Sequence, residues 1–433
     1  MLEVNYRLSS PALRVLITAG GFAAAVLLGY LVISQFIVRQ FGEAQFAATK
    51  GELVASADYY RSSPTLQGLL AEAEMTDAGD HAQTAARAEA AALRAVRLSP
   101  WDYKQRLLLA SAHELGGDRA AAEKELKAAL QLAPNYTQVH WRLANLLVRE
   151  NKLGEAATHF RAASAADPRL LTQTYQLLWH VSGGDLNAVK AATGEVPRAQ
   201  LALATFLLQQ GRLDESSRVF RGIDRQSRLA LHDATYFLTN MIQAGYYGEA
   251  RSLWVDLVGG EPEAERAPVW NGSFEKDPVG VFNQFNWNLA SNKYAHISVD
   301  AGAARTGSRA LKIDFRGVDT TVLDSEVKQY IVVRPGGRYR FECFVKTRKL
   351  ETPEGPRVVI VHGNGSTPVA SSDAVPAGTQ DWQRMAFDFT APSDTKLLLL
   401  TVKRTPKFSY DEPTKGTIWL DDLSLTEIQG APR

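Results

Sequence analysis

Three prolines, Pro100, Pro134 and Pro168, stand 34 residues apart, and between them one pattern is written twice. The first copy opens on Trp101-Asp102-Tyr103 and closes on Ala133-Pro134. The second opens on Asn135-Tyr136 and closes on Asp167-Pro168. A fixed period in this range marks stacked supersecondary units, none of which can bury its apolar face alone. Small residues at fixed places let two antiparallel helices approach closely. Large apolar ones fill the seam to the next pair, and each proline stops a helix and turns the chain.

The register resembles the tetratricopeptide repeat. Leu109-Ala110, Gly117, Ala122, Leu126, Ala129 and Pro134 fall at the family's fixed positions, and Leu143-Ala144, Ala156, Phe160, Ala163 and Pro168 repeat them. Asn151 replaces the usual Gly, which a left-handed helix end tolerates. Weaker copies carry Leu203-Ala204, Gly211, Ser216, Phe220 and Ile223, then Phe237-Leu238, Gly245, Ala250, Trp254 and Leu257. A degenerate unit lies around Leu170–Ala192, and a further helix pair, about Thr65–Ser99, precedes Pro100. The resemblance implies an all-α solenoid over 65–260 of about five or six units, with a concave groove for a protein partner. In this register the groove would show Lys104, Ser111, Gln138, Trp141, Asn145, Arg149, Arg198 and His232. Asn145 and Lys104 alone do not make the family's clamp for a terminal carboxylate. Trp141 is either a ligand platform or packed between helices.

At 433 residues the chain is too long for one ordinary core. From Val15 to Val38 run 24 uncharged residues bracketed by Arg14 and Arg39. As a helix they reach roughly 36 Å, enough to cross a bilayer with some tilt. The run is too long for a cleaved signal peptide, although Gly42 and Ala44 imitate a cleavage site. The expected order is a cytoplasmic tail over 1–14, a transmembrane helix over 15–38 and a connection over 39–64. Arg7 and Arg14 against Arg39 and Lys50 give a slight bias for a cytoplasmic amino terminus. The remainder would then lie on the periplasmic side of a bacterial inner membrane.

The helical period ends near Gly259-Gly260. Glu261–Pro268 is charged and carries prolines, so 261–269 is expected to be a linker. Short alternating runs follow: His296–Val299, Ala310–Phe315, Tyr339–Val345, Arg357–Val361, Gln383–Phe389 and Thr417–Leu425. Period-two alternation is plain in Tyr339, Phe341, Cys343 and Val345, and many short strands predict an antiparallel sandwich. Four motifs then come in order: Asn271-Gly-Ser-Phe-Glu275, Thr306-Gly-Ser-Arg-Ala-Leu311, Arg334-Pro-Gly-Gly-Arg-Tyr339 and Gly416-Thr-Ile-Trp-Leu-Asp-Asp-Leu423. Together they resemble the galactose-binding-like jelly roll used as a carbohydrate-binding module, here over 270–428 with a tail at 429–433. The resemblance implies a possible structural calcium ion near Glu275 and Asp421 or Asp422. The alternative is that these carboxylates bond to backbone at the sheet edge. Sugar recognition would use exposed aromatics, with Trp287, Tyr294, Tyr330, Trp382, Phe408 and Tyr410 as candidates. Phe408 and Tyr410 lie in a proline-flanked loop and are the better candidates for exposure; Trp287 and Trp382 read more readily as core than as platforms, and Trp419 reads as core.

Lys plus Arg number 48 against 47 Asp plus Glu, with no basic run, so composition offers nothing to nucleic acid. Cys343 is the single cysteine, which forbids an intrachain disulfide and reads as a small buried residue. No His-Glu-x-x-His, Gly-x-Ser-x-Gly, phosphate-binding Gly-rich loop or Cys-x-x-Cys occurs. Asn135, Asn271 and Asn364 begin glycosylation sequons, relevant only in a eukaryotic secretory route. The expected function is a non-enzymatic, membrane-anchored scaffold. Its solenoid would hold a protein and its sandwich an envelope or exported polysaccharide. The alternatives are an assembly factor with a structural sandwich and a carbohydrate-active enzyme with an unfamiliar site.

Overall fold

Short polar side chains start several of the helices. Asp102 accepts from the Lys104 amide at 2.9 Å, Asp118 from Ala121 at 2.9 Å and Asp185 from Asn187 at 2.9 Å. Each such cap is worth about 1 kcal/mol to its helix. The computed structural model describes residues 11–42, 50–77, 80–259, 267–365, 367–408, 410 and 412–428. The Ala44 cleavage site, most of the expected linker, the end of the Asn364 sequon and the tails at 1–10 and 429–433 lie outside the described residues.

Two compact units divide the chain, Met1–Glu195 and Val196–Arg433. The division falls within the helical stretch. In the first unit the helices are α1 (Pro11–Gly42), α2 (Lys50–Tyr59), α3 (Pro64–Met75), α4 (His81–Leu98), α5 (Tyr103–Leu115), α6 (Arg119–Leu132), α7 (Thr137–Arg149), α8 (Leu153–Ala166), α9 (Leu171–Val181) and α10 (Leu186–Thr193). The repeat positions are the core. Leu109, Ala110, Ala122, Leu126, Ala129, Leu143, Ala144, Ala156, Phe160 and Ala163 are all buried. Gly117 and Asn151 close α5 and α7 with φ of 82° and 60°, the left-handed turn that the sequence predicts.

The second unit continues the pairs with α11 (Pro197–Gln209), α12 (Leu213–Gly222), the extra turn α13 (Arg225–Ala230), α14 (Asp233–Gln243) and α15 (Tyr247–Val258). Ten strands follow: β1 (Asn288–Leu289), β2 (Ala295–Asp300), β3 (Ala310–Arg316), β4 (Val327–Val332), β5 (Arg338–Glu351), β6 (Arg357–His362), β7 (Pro368–Ser371), β8 (Gly378–Thr390), β9 (Leu397–Lys403) and β10 (Lys415–Glu427). They form two five-stranded antiparallel sheets of order β1-β4-β9-β6-β7 and β2-β3-β10-β5-β8. The inner faces meet through Ile331, Leu398, Leu400 and Ile360 from one sheet and Phe341, Cys343, Ile313 and Leu420 from the other. The molecule is thus an all-α repeat array followed by an all-β jelly-roll sandwich, with one apolar helix at its amino-terminal end.

In this unit the last helices and the sandwich share a core. Trp254 of α15 is fully buried, its ring edge-on to Trp270 at 5.0 Å and to Phe285 at 5.8 Å, and its Nε1 donates to the Phe282 carbonyl at 3.1 Å. Val332 and Leu397, on the outer face of the first sheet, pack against the same cluster. A repeat array must cover its terminal apolar face, and here the sandwich covers it.

Candidate functional site

Where α14 and the first sheet approach, a cleft of about 720 Å³ remains open. Helix α14 offers it Thr239, Ile242 and Gln243, with Thr235 one turn before Thr239, while Phe237, Leu238 and Met241 go to the core. Gln284 spans the gap. Its Nε2 donates to Thr235 Oγ1 at 2.7 Å and to the Thr235 carbonyl at 3.1 Å, tying the first sandwich loop to the helix. The opposite wall is Tyr330 of β4, His362 at the end of β6, and the turn Asp394-Thr395-Lys396 leading into β9. Tyr330 keeps 36% of its surface exposed. His362 Nδ1 lies 3.3 Å from Thr395 Oγ1. Gly363 must be glycine, because a Cβ would stand 2.9 Å from the Leu397 carbonyl oxygen. An open trough of mixed lining, with Tyr247, Tyr330, Ile242 and Leu397 among polar Gln, Thr, Lys and Asp groups, suits a neutral ligand that offers both ring faces and hydroxyls.

The expected aromatic candidates scatter. Tyr330 alone lines the cleft. Phe408 and Tyr410 are 64% and 71% exposed on their loop, with nothing assembled around them that the structure describes. Tyr294 is half-buried with Lys293 Nζ 4.7 Å from its ring centre. Trp382 lies half-buried on the outer face of the second sheet, 6.0 Å from Lys346 Nζ. Trp287 has to be withdrawn as a platform. It is 7% exposed, packs on Phe274 at 5.2 Å and donates through Nε1 to the Asn271 carbonyl. Trp419 is core as expected, its Nε1 bonded to Asp300 at 2.8 Å.

No family model matches the chain, and no curated protein does. Among solved structures it is similar to a CBM4 module at 19% identity and TM-score 0.28, covering 37% of this chain and 99% of that one. It is similar to the CBM22-1 xylan-binding domain of Paenibacillus barcinonensis Xyn10C at 18% identity and TM-score 0.24, covering 37% and 94%. It is also similar to MamA protein at 13% identity and TM-score 0.29, covering 46% and 91%. At these scores none of the likenesses assigns a function.

The carboxylates proposed for calcium are engaged by protein donors. Glu275 accepts from the Ser308 hydroxyl and from the Ser308 and Arg309 amides at 2.7–2.8 Å, and the Ser308 hydroxyl is the main cause that lowers its pKa. Asp421 accepts from the Arg305 and Thr306 amides at 2.8 and 3.2 Å; burial pushes its pKa up against those bonds. Asp422 pairs with the Arg305 guanidinium at 2.6 Å. An arginine already neutralises this corner, and among the described residues no three His, Cys, Asp or Glu side chains are gathered for a metal. The donor set does not fit a calcium ion as arranged; it straps the loop 305–309 to the segment at Glu275 and to β10 instead.

The expected groove residues fall in both units. In the first, Lys104 and Gln138 are exposed, and Ser111 accepts from the Arg142 guanidinium at 2.5 Å. Trp141 packs edge-on against Phe160 at 5.1 Å, and Asn145 Nδ2 donates to the Trp141 carbonyl at 2.8 Å. Arg149 pairs with Glu114. In the second unit Arg198 is exposed, and His232 is exposed beside Tyr236 at 5.4 Å. Sequence reasoning missed Gln284, His362, Asp394 and Lys396. The Thr235, Thr239 and Gln243 spacing on α14 gave no usable signal, because Asp233 and Asn240 are polar on the same helix.

Proposed function

We propose that this protein is a non-enzymatic, membrane-anchored adaptor. Its repeats hold a protein partner, and the cleft between α14 and the first sheet holds a segment of neutral polysaccharide. The observation that carries the reading is the cleft itself. It is open along its length, walled by the Tyr330 ring, and edged by Gln, Thr, Lys and Asp groups that can bond sugar hydroxyls. The apolar helix at Pro11–Phe36, long enough to cross a membrane and with its apolar side chains exposed, supports a single membrane anchor. The slight charge bias around it favours a cytoplasmic amino terminus, with the folded units outside the cytoplasm, and we place the anchor in a bacterial inner membrane.

Affinity electrophoresis of the detergent-solubilised full chain through gels containing neutral β-glucans, xylan or mannan tests the reading. One polymer is expected to retard the wild type. Tyr330→Ala should weaken that retardation about tenfold, the equivalent of ~1.4 kcal/mol, while Tyr410→Ala leaves it unchanged. Free migration through every polymer, or retardation that Tyr410→Ala abolishes, contradicts the assignment.

A further inference from the structure

The apolar helix α1 is longer than a bilayer needs. Beyond Arg14 its uncharged run, Val15–Val38, holds 24 residues. At 1.5 Å per residue that is about 36 Å, against a hydrocarbon core of about 30 Å. Tyr30 stands about 24 Å along the axis beyond Arg14. With Arg14 snorkelling at the near border, Tyr30 lies about one helical turn short of the far border. Leu31, Val32, Ile33 and Phe36 continue the apolar surface past it, all exposed. The far border of the bilayer therefore falls between Tyr30 and Phe36.

The repeat array touches α1 at this level. The Tyr60 ring lies 5.7 Å from Tyr30, and Tyr59 lies edge-on to Tyr60 at 4.8 Å. Tyr60 is buried against α1 and α3, whereas Tyr59 is 73% exposed, and Arg61 follows it, also exposed. A large exposed aromatic next to a cation, held beside the end of an apolar helix, is poorly placed in bulk water and well placed among headgroups. There the ring meets acyl chains, the hydroxyl meets water and the cation meets phosphate. We propose that the turn between α2 and α3, Tyr59 and Arg61 foremost, lies in the headgroup layer of the bilayer that α1 spans. It fixes the first repeat against the membrane surface. The proposal rests on the membrane-anchor reading above.

Site-directed spin labelling of the full chain in nanodiscs of phosphatidylcholine and phosphatidylglycerol tests it. The native thiol, Cys343, is fully buried and stays unlabelled. Labels are placed singly through Leu27→Cys in α1, Tyr59→Cys and Arg61→Cys in the turn, and Trp101→Cys, whose parent side chain is 83% exposed. The reading is the accessibility of each label to oxygen relative to a water-soluble nickel chelate. Position 27 is expected to be deep, 101 in water, and 59 and 61 between them. If 27 is deep while 59 and 61 behave like 101, the headgroup proposal is overturned and the anchor stands. If 27 itself is in water, the anchor fails and takes the proposal with it.

Discussion

At the scale of single residues, the histidine pair of the second repeat shows how much one contact decides. His140 Nε2 lies 2.7 Å from the Pro134 carbonyl, which can only accept, so that nitrogen carries the proton. Its Nδ1 is then a lone pair and accepts from His159 Nδ1–H at 3.0 Å. Burial first, and then the facing His140, hold the His159 pKa below the ordinary 6.5; Lys127 pushes the same way and Glu155 opposes. The unfolded chain therefore takes up a proton before the folded one as pH falls. This contribution is complete above the unfolded value and is lost as pH drops through it toward the folded value. Thermal denaturation between about pH 7 and 5 should show a falling midpoint that His159→Gln flattens. A slope unchanged by the substitution would remove the pair from the account. Asn151 supplies a second residue-scale test, since its φ of 60° is costly to any side chain with an ordinary Cβ. Asn151→Ala is expected to cost about 1–2 kcal/mol, while Asn151→Gly should be neutral or stabilising, as read by chemical denaturation.

At the scale of elements, what the sequence revealed depended on periodicity. The six runs read as strands occur as β2, β3, β5, β6, β8 and β10, because each alternates or is bounded by turn residues. β9 was invisible. Leu397–Lys403 is apolar on both faces, since one meets the sandwich core and the other meets Val359, Val361 and the helix cluster. A continuous apolar run carries no period to read. β4 was hidden by Gln329, a polar residue at a core position that is satisfied by both backbone groups of Trp270 at 2.9 Å. The short α13 interrupts the 34-residue register and left no repeat signature. The element that joins helices to sandwich is α15, through Trp254. Trp254→Ala is expected to cost about 3–5 kcal/mol. It should also raise protease cutting near Ala267–Trp270; unchanged cutting and stability would show that the shared core is dispensable.

At the scale of the whole molecule, a plan of anchor, repeats and sandwich is legible in the sequence, and the cleft is not. Its walls come from α14, the start of α15, the loop before β1, β4, the end of β6 and the turn into β9, stretches far apart in the chain. Of the aromatics singled out in the sequence the one that lines it, Tyr330, carried the same signal as Trp287, which the fold buries. Residue type marks candidates; only the packing of α15 against β4 selects among them. The same packing makes the last repeat part of the proposed glycan site, so this unit should bind as one body. Hydrogen–deuterium exchange of the full chain, with and without the polysaccharide that retards it, tests this most directly. Slowed exchange is predicted together in α14, around Gln284, at His362–Gly363 and across Asp394–Leu397. Protection confined to the Phe408–Tyr410 loop or to the outer face of the second sheet would contradict it.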